Sequence, residues 1–377
     1  MEVVLVAGEV PGHFLSTVEV PLMVFCADSR APSLYSHLRR LTCLLQSYLQ
    51  QYYGLHPRAG RQKRHATAEP NEEVSWKSEL CQKMERMQRF FGLPPSGELN
   101  NETLVVMKRP RCGLSDVEHV KFLKKPLPSI IRIAGMKLPN SKLKVHKVFR
   151  AAWKMWSTVT PIKFRKRSRR EADITISFHT GDGSPFDGKG GILAHAFLPG
   201  AGIGGDVHFD AEEDWSLNST GFSLLAVAVH EFGHALGLPH SSDPGAIMYP
   251  AYNFAPNFEL QLSFTDVKDV QHRYDPDHCY TNPPPRTPDK CDPDLSFDAV
   301  SELRQEVLFF KDRFLWRKHP QFDEIGITLI SSLWPDSVPS HLDAAYENVE
   351  KDMTLFFKGI HVLSVNKLQV ESSGVKS

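Results

Sequence analysis

The chain has no run of eighteen apolar residues, so no stretch of it reads as a membrane-spanning helix. It is poor in cysteine. Cys26, Cys43, Cys81, Cys112, Cys279 and Cys291 are too few for a disulfide framework in 377 residues, and no Cys-x-x-Cys pair exists to hold a zinc. It has no net charge either: 44 Lys and Arg balance 44 Asp and Glu, which points to neither nucleic acid nor an anionic membrane. A strong secretory leader is also missing, because Met1-Glu2 is acidic and the best apolar run, residues 21–27, is short and displaced. Residues 1–29 are therefore expected to hold at most a weak signal segment. The length allows two or three domains.

What is present is concentrated in one stretch, His230-Glu231-Phe232-Gly233-His234-Ala235-Leu236-Gly237-Leu238-Pro239-His240, followed by Met248. The apolar residues 222–229 read as a buried helix entering it. One helical turn separates His230 from His234, so both imidazoles share a face. Gly237 lets the backbone leave the helix and brings His240 back toward that face. Three neutral imidazoles leave one position of a tetrahedral zinc open for water, as in a catalytic site. Glu231 follows the first ligand and is the candidate general base, then proton donor to a leaving amine.

In chain order, residues 33–53 and 75–92 space their apolar positions as amphipathic helices. Gly54 ends the first, and a third short helix starts with capping chemistry at Asn100 or Asn101. Three helices in some 75 residues predict a small α-helical bundle. It ends at Pro110-Arg111-Cys112-Gly113-Leu114-Ser115-Asp116, where a cysteine between arginine and glycine is a candidate thiolate ligand for the open zinc position. Residues 142–158 read as a helix and 172–178 alternate as a strand. A loop region rich in Gly, Asp and His spans 179–213, and a last helix covers 264–274. Residues 280–290 form a proline-rich linker. Beyond it, Asp343-Ala344-Ala345-Tyr346 repeats the pattern of Phe297-Asp298-Ala299-Val300, a period that predicts propeller blades.

These motifs together resemble the matrix metalloproteinases, within the metzincins, and most of all the collagenases and stromelysins; the match runs over about residues 40–359. The resemblance implies a multidomain protein: a helical propeptide (30–118), an α+β catalytic domain with a mixed twisted sheet and three helices (119–278), a linker (279–290), incomplete hemopexin-like propeller repeats (291–359) and a divergent tail (360–377). It implies two zinc ions and two or more calcium ions. Cys112 would ligate the catalytic zinc beside His230, His234 and His240, with Arg111 and Asp116 as an ion pair bracing the switch. Leu114 and Ser115 depart from the family's Val and Pro there. Arg61 to Arg64 resembles the family's bait region. His195, His208 and Asp182 match ligands of a structural zinc. The family spaces the remaining ligand as His-x-Asp, but Thr180 stands at that place here, leaving His179 as the candidate. Asp187, Gly188, Gly190, Ile192, Asp210 and Glu213 match one calcium site, and Asp173, Gly202, Gly204 and Asp206 a second. Ala194, Ala226, Met248, Pro250 and Tyr252 match the substrate pocket, with substrate antiparallel to the strand at Ala194.

The reading is a latent secreted zinc endopeptidase of extracellular matrix proteins, including denatured collagen, restrained by tissue inhibitors of metalloproteinases. It has no nucleic-acid partner and no transmembrane segment. The alternative is a non-catalytic zinc- and calcium-binding secreted protein with a closed site; an intact Glu231 argues against it. With the second propeller repeat incomplete, Phe309, Phe310, Trp316 and Phe356 are expected to have little to bury against. Residues 291–377 should then be loose, Cys291 free or paired with Cys279, and native triple-helical collagen not cleaved.

Overall fold

The computed structural model describes residues 32–57, 70–117, 130–135, 145–167, 172–180, 186–216, 221–252, 260–274, 287–290, 292–303, 305–335, 337–351, 353–366 and 369–375. The expected signal segment, Arg61 to Arg64, Asp182, Cys279, Cys291 and most of the linker lie outside them. The chain divides into two compact units, Met1–Met107 and Lys108–Ser377. The switch segment thus belongs with the second unit, not with the bundle it follows in sequence.

In the first unit, α1 (Pro32–Tyr53) and α2 (Pro70–Phe90) bury Leu49, Tyr53, Met84 and Met87. Gly54, at φ 64°, follows the end of α1, as its position in the sequence predicts. Asn100 caps α3 (Asn101–Met107), its Oδ1 accepting the Thr103 N–H at 2.8 Å. Buried Gln88 ties α2 to the turn before α3: its amide donates to Glu98 O at 2.9 Å and accepts from Gly97 N at 2.9 Å.

The second unit opens with β1 (Arg111–Cys112), then β2 (Ile130–Gly135), α4 (Val145–Val159), β3 (Lys163–Lys166) and β4 (Ile174–His179). Next come β5 (Ile192–Ala196), β6 (Val207–Asp210), the short pair β7 (Trp215–Ser216) and β8 (Phe222–Ser223), α5 (Leu224–Ala235) and α6 (Phe264–Tyr274). The sheet runs β1-β5-β6-β4-β2-β3, parallel except where β5 meets β6. Among the described residues up to Tyr274, this unit thus has a mixed sheet and three helices, α4, α5 and α6. α4 and α5 bury Phe149, Ala152, Trp156, Val229 and Phe232 in one core, and the Trp156 indole N–H donates to Val229 O at 2.9 Å. The zinc-motif helix is thereby fixed against a rigid neighbour.

The C-terminal region departs from expectation. β9 (Ala299–Leu303), β10 (Glu306–Lys311), β11 (Phe314–Lys318) and β12 (Ile325–Leu329) make one four-stranded antiparallel sheet, with α7 (Ile330–Leu333) after it. β13 (Ala344–Asn348), β14 (Met353–Lys358), β15 (His361–Asn366) and β16 (Gln369–Val375) make a second. Residues 360–377, read as a tail outside the repeats, supply two of its strands. Phe310, Trp316 and Phe356 are 0, 2 and 1% exposed, so for these three the expectation of stranded aromatics is overturned, while Phe309 is half-buried. Phe310 and Phe356 meet between the sheets with Trp334, whose ring lies 5.2 Å from that of Phe356. The sequence pattern missed this because the partners are supplied across sheets, not along the chain.

Candidate metal and peptide-cleavage site

α5 starts at Ser223, whose Oγ accepts the Ala226 N–H at 3.2 Å, and runs through the motif to Ala235. Gly237, at φ 95°, takes a left-handed conformation that favours glycine and turns the chain toward His240. His230, His234, His240 and Cys112 are all buried, and their donor atoms lie within 4.8 Å of one another, the one such group among the described residues. Each histidine has its Nδ1 engaged: His230 with Ile247 O at 2.6 Å, His234 with Leu238 O at 2.7 Å, and His240 with Asp116 Oδ1 at 2.8 Å. Carbonyl oxygens can only accept, so Nδ1 of His230 and His234 carries the proton and Nε2 the lone pair. The Nε2 atoms of His230 and His234 are 3.0 Å apart. With lone pairs on both, this approach is not a hydrogen bond but a pair of donors aimed at one cation. Nε2 of buried His240 has no protein partner either. Burial pushes His230 down to about 3 and depresses His234 and His240 as well, so all three imidazoles are neutral. This donor set fits zinc, and the outer partners orient it.

Asp116 is the hinge of that outer shell. Burial would push its carboxyl up, but the Arg111 guanidinium and His240 outweigh it and hold it at about 2. The Arg111–Asp116 pair is 2.5 Å long and shielded from water. Burial and the Glu231 carboxylate push the Cys112 thiol up, and burial pushes Glu231 up to about 8 despite the stabilising thiol. A bound cation reverses that tendency in a ligating thiol.

The switch segment occupies a cleft between two backbones. Arg111 N donates to Gly191 O at 2.9 Å and Gly113 N to Ala194 O at 2.9 Å, on the β5 side; Cys112 N donates to Pro250 O at 3.0 Å and Tyr252 N to Pro110 O at 2.8 Å, on the other. It runs parallel to β5, the reverse of the direction expected for substrate. A Cβ at Gly113 would stand 2.8 Å from Ile192 Cγ2, so only glycine lets the chain lie this close.

Beside Cys112 lies an open pocket of about 320 Å³, adjoining solvent included. Ala226, Pro250 and Tyr252 line it. Met248 does not: it lies beneath α5, its sulfur against Gly233, because the turn aims its side chain into the core. Leu193, Val227 and Tyr249 line the pocket without having been singled out from the sequence. Val227 was open to detection, since it lies one turn before His230 on the same helix. A further missed residue is Asp266 of α6, buried, whose carboxylate accepts N–H groups from Ile247 at 2.8 Å, Met248 at 3.1 Å and Ser263 at 2.7 Å. It thereby holds the turn that supplies the His230 acceptor.

The remaining candidates fall in two groups. Cross-strand register sets His195 opposite His208 and His208 beside Ser177, so His179, two residues on, shares their face. The ring centroids of His179 and His208 are 4.3 Å apart, those of His195 and His208 5.0 Å. Burial leads in holding His195 and His208 at about 4, and Nδ1 of His195 has no hydrogen-bond partner. Nearby, Asp187 Oδ1 accepts from Ile192 N at 2.9 Å and Glu213 Oε1 from Gly190 N at 2.7 Å. Burial, then neighbouring acids including Asp187, raises both Asp210 and Glu213. Carboxylates crowded in this way fit a hard cation. At the other expected calcium site, Asp206 Oδ1 accepts from Thr175 N at 2.7 Å. The Asp173 carboxylate is bound to Arg132 at 2.7 Å, and its carbonyl, near Gly205, is the oxygen turned toward the loop that holds Gly202 and Gly204.

The Matrixin family profile matches residues 131–275 and the Hemopexin profile residues 297–336. The chain is 43% identical over 356 residues to "Neutrophil collagenase" of Homo sapiens, covering 92% of this chain and 73% of that protein. It is 44% identical over 326 residues to "Interstitial collagenase" of Bos taurus, covering 84% and 66%. It is 42% identical over 327 residues to "Matrix metalloproteinase-18" of Xenopus laevis, covering 84% and 68%. With a family profile over the metal-binding core and such identity along most of its length, the chain belongs to the matrixin family and is a collagenase-like zinc metalloendopeptidase.

Proposed function

We propose that this is a latent, secreted endopeptidase of extracellular matrix proteins, collagen among them, held inactive by Cys112. The observation that carries the reading is the convergence of Cys112 with His230, His234 and His240 beside a buried Glu231. Zinc bound there supplies Lewis-acid polarisation of the scissile carbonyl and a more acidic water. Glu231, whose two oxygens meet no conventional donor, holds that water, takes its proton and passes it to the leaving amine. With residues 110–113 gone, Ala194 O and Pro250 O become free to hold a substrate strand, and the pocket lined by Ala226, Val227 and Tyr252 takes the side chain after the scissile bond. The switch segment runs against the polarity expected of a substrate strand, which disfavours its own cleavage.

We extend the reading to a propeptide over 30–118, a structural zinc at His179, Asp182, His195 and His208, and calcium at the two acidic loops. Tissue inhibitors of metalloproteinases are the expected partners. The test is titration of the mercurial-treated full chain with a hydroxamate, alongside fluorogenic peptide hydrolysis. One inhibitor equivalent should abolish hydrolysis. Stoichiometric hydroxamate binding without hydrolysis would instead identify a non-catalytic metal-binding protein.

A further inference from the structure

Neutrality of the whole chain conceals a separation of charge. Residues 119–170 contain sixteen Lys and Arg and no Asp or Glu, so the rest of the chain carries an equal acidic excess. Two adjoining elements within that stretch are described. On α4, Lys147, Arg150 and Lys154 are exposed at three- and four-residue spacing, opposite the face buried by Val148, Phe149, Ala152 and Trp156. β3 is the edge strand of its sheet, and Lys163, Arg165 and Lys166 on it, with Arg167 just beyond, are exposed. Trp153 of α4 stacks on Phe164 of β3 at 6.0 Å, which sets the helical stripe beside the strand. Lys163, Arg165 and Arg167 alternate to the side of β3 turned away from Phe164 and α4, over about 13 Å of strand, while Lys166 shares the α4 side, so the cations flank one sheet edge from both sides.

A solvated surface usually interleaves both signs. Here seven cations flank one sheet edge without an acidic residue among them, and among the described residues none of the seven has an ion-pair partner. Arg132, the cross-strand neighbour of Arg165, is by contrast engaged by Asp173. Mutual repulsion makes such an edge a liability unless an anion covers it. The chemistry narrows the anion. Trp153 and Phe164 are partly buried against each other, so these elements offer no free ring for a nucleobase to stack on. No large apolar side chain is exposed on α4 or β3, so nothing there enters a bilayer.

We propose that this basic edge of the sheet, with the α4 stripe on one side and Lys163, Arg165 and Arg167 on the other, binds a linear, highly sulfated polysaccharide. Rows of guanidinium and ammonium groups meet its sulfates through charge-assisted hydrogen bonds. This edge lies four strands from β5, on the order of 19 Å from the cleft edge, so a chain held there leaves the cleft open.

The experiment measures binding of the full chain to immobilised heparin across a salt series, with desulfated heparin and single-stranded DNA of matched charge as competitors. Two double variants are compared, Arg165→Glu with Arg167→Glu, and Lys147→Glu with Lys154→Glu, plus the neutral pair Arg165→Gln with Arg167→Gln. Each charge reversal should weaken heparin binding at least about tenfold near 0.15 M salt and flatten the salt dependence; the neutral pair should act in the same direction more weakly. Hydrolysis of a short peptide after activation should stay unchanged, which also shows that the variants fold. Wild-type affinity in the reversed variants would place binding elsewhere and overturn the proposal. Equal competition by DNA, or by desulfated heparin, would overturn the selectivity for sulfated polysaccharide.

Discussion

Asp266 has no contact with the cleft, yet its carboxylate accepts the N–H groups of Ile247 and Met248, and Ile247 O accepts from His230. Its replacement by alanine leaves buried donors unpaired and frees the carbonyl that orients a ligand. Asp266→Ala should weaken metal retention roughly 10- to 100-fold, read as faster inactivation by a chelator, with the substrate KM little changed. An unaltered chelator sensitivity would remove Asp266 from the outer shell. Glu231→Ala is expected to keep the metal and lose roughly three or more decades in kcat, because it removes both a base and the positioning of water. Cys112→Ser should give activity without an activator, since a hydroxyl is a far poorer zinc ligand than a thiolate. Persistent latency in that variant would mean that the backbone pairing of residues 110–113, not the thiol, closes the site.

At the scale of elements, α5 carries two of the metal ligands, His230 and His234, on one turn and pocket residues on the turn before. Ala226 is 1% exposed and lines the pocket, so Ala226→Arg should narrow the preference to small side chains after the scissile bond. A peptide library cut identically by both forms would exclude this position from the pocket. The repeated acidic residues of the C-terminal sheets also have an element-level role. Asp298 accepts the N–H of Asp312 after β10, and Asp343 that of Gly359 after β14, so each closes the hairpin of its own sheet. Lys311 pairs with the first and Lys358 approaches the second. Loss of either acceptor should cost about 1 kcal/mol, and the same small fall in thermal midpoint is expected for Asp298→Ala and Asp343→Ala.

Across the second unit as a whole, the first four-stranded C-terminal sheet meets the catalytic fold. The buried Tyr249 phenol, next to Pro250 of the pocket wall, hydrogen-bonds Ser332 of α7, and Arg109 donates to Trp334 O at 3.3 Å. Burial accordingly pushes the phenol well up from its ordinary value. A wall braced from behind should loosen when the brace is cut. Tyr249→Phe and Ser332→Ala are each expected to broaden side-chain preference in the pocket and, combined, to add little to either alone. Additive effects would show that the two residues act separately. With Phe310, Trp334 and Phe356 packed between two complete four-stranded sheets, limited proteolysis should leave a resistant fragment covering about residues 292–375. Rapid digestion of that fragment would restore the looser arrangement expected from sequence.

The metal ligands were legible in the sequence because their spacing is a local matter: His230 and His234 share a helical face whatever surrounds them, and Gly237 must turn the chain. The same holds for α1, α4 and α6, whose apolar periods are properties of short segments. Tertiary structure alone decided what depends on distant neighbours. It set His179 beside His208 through strand register, although no sequence spacing marked it. It sent Met248 into the core and brought Tyr249 to the pocket, one residue apart, since burial of a turn depends on what packs against it. It joined Asp266 to the metal site across 36 positions. It also gave residues 361–375 strand partners that their own pattern does not announce, because a β-ladder is made by pairing between chains of residues and not by either one alone.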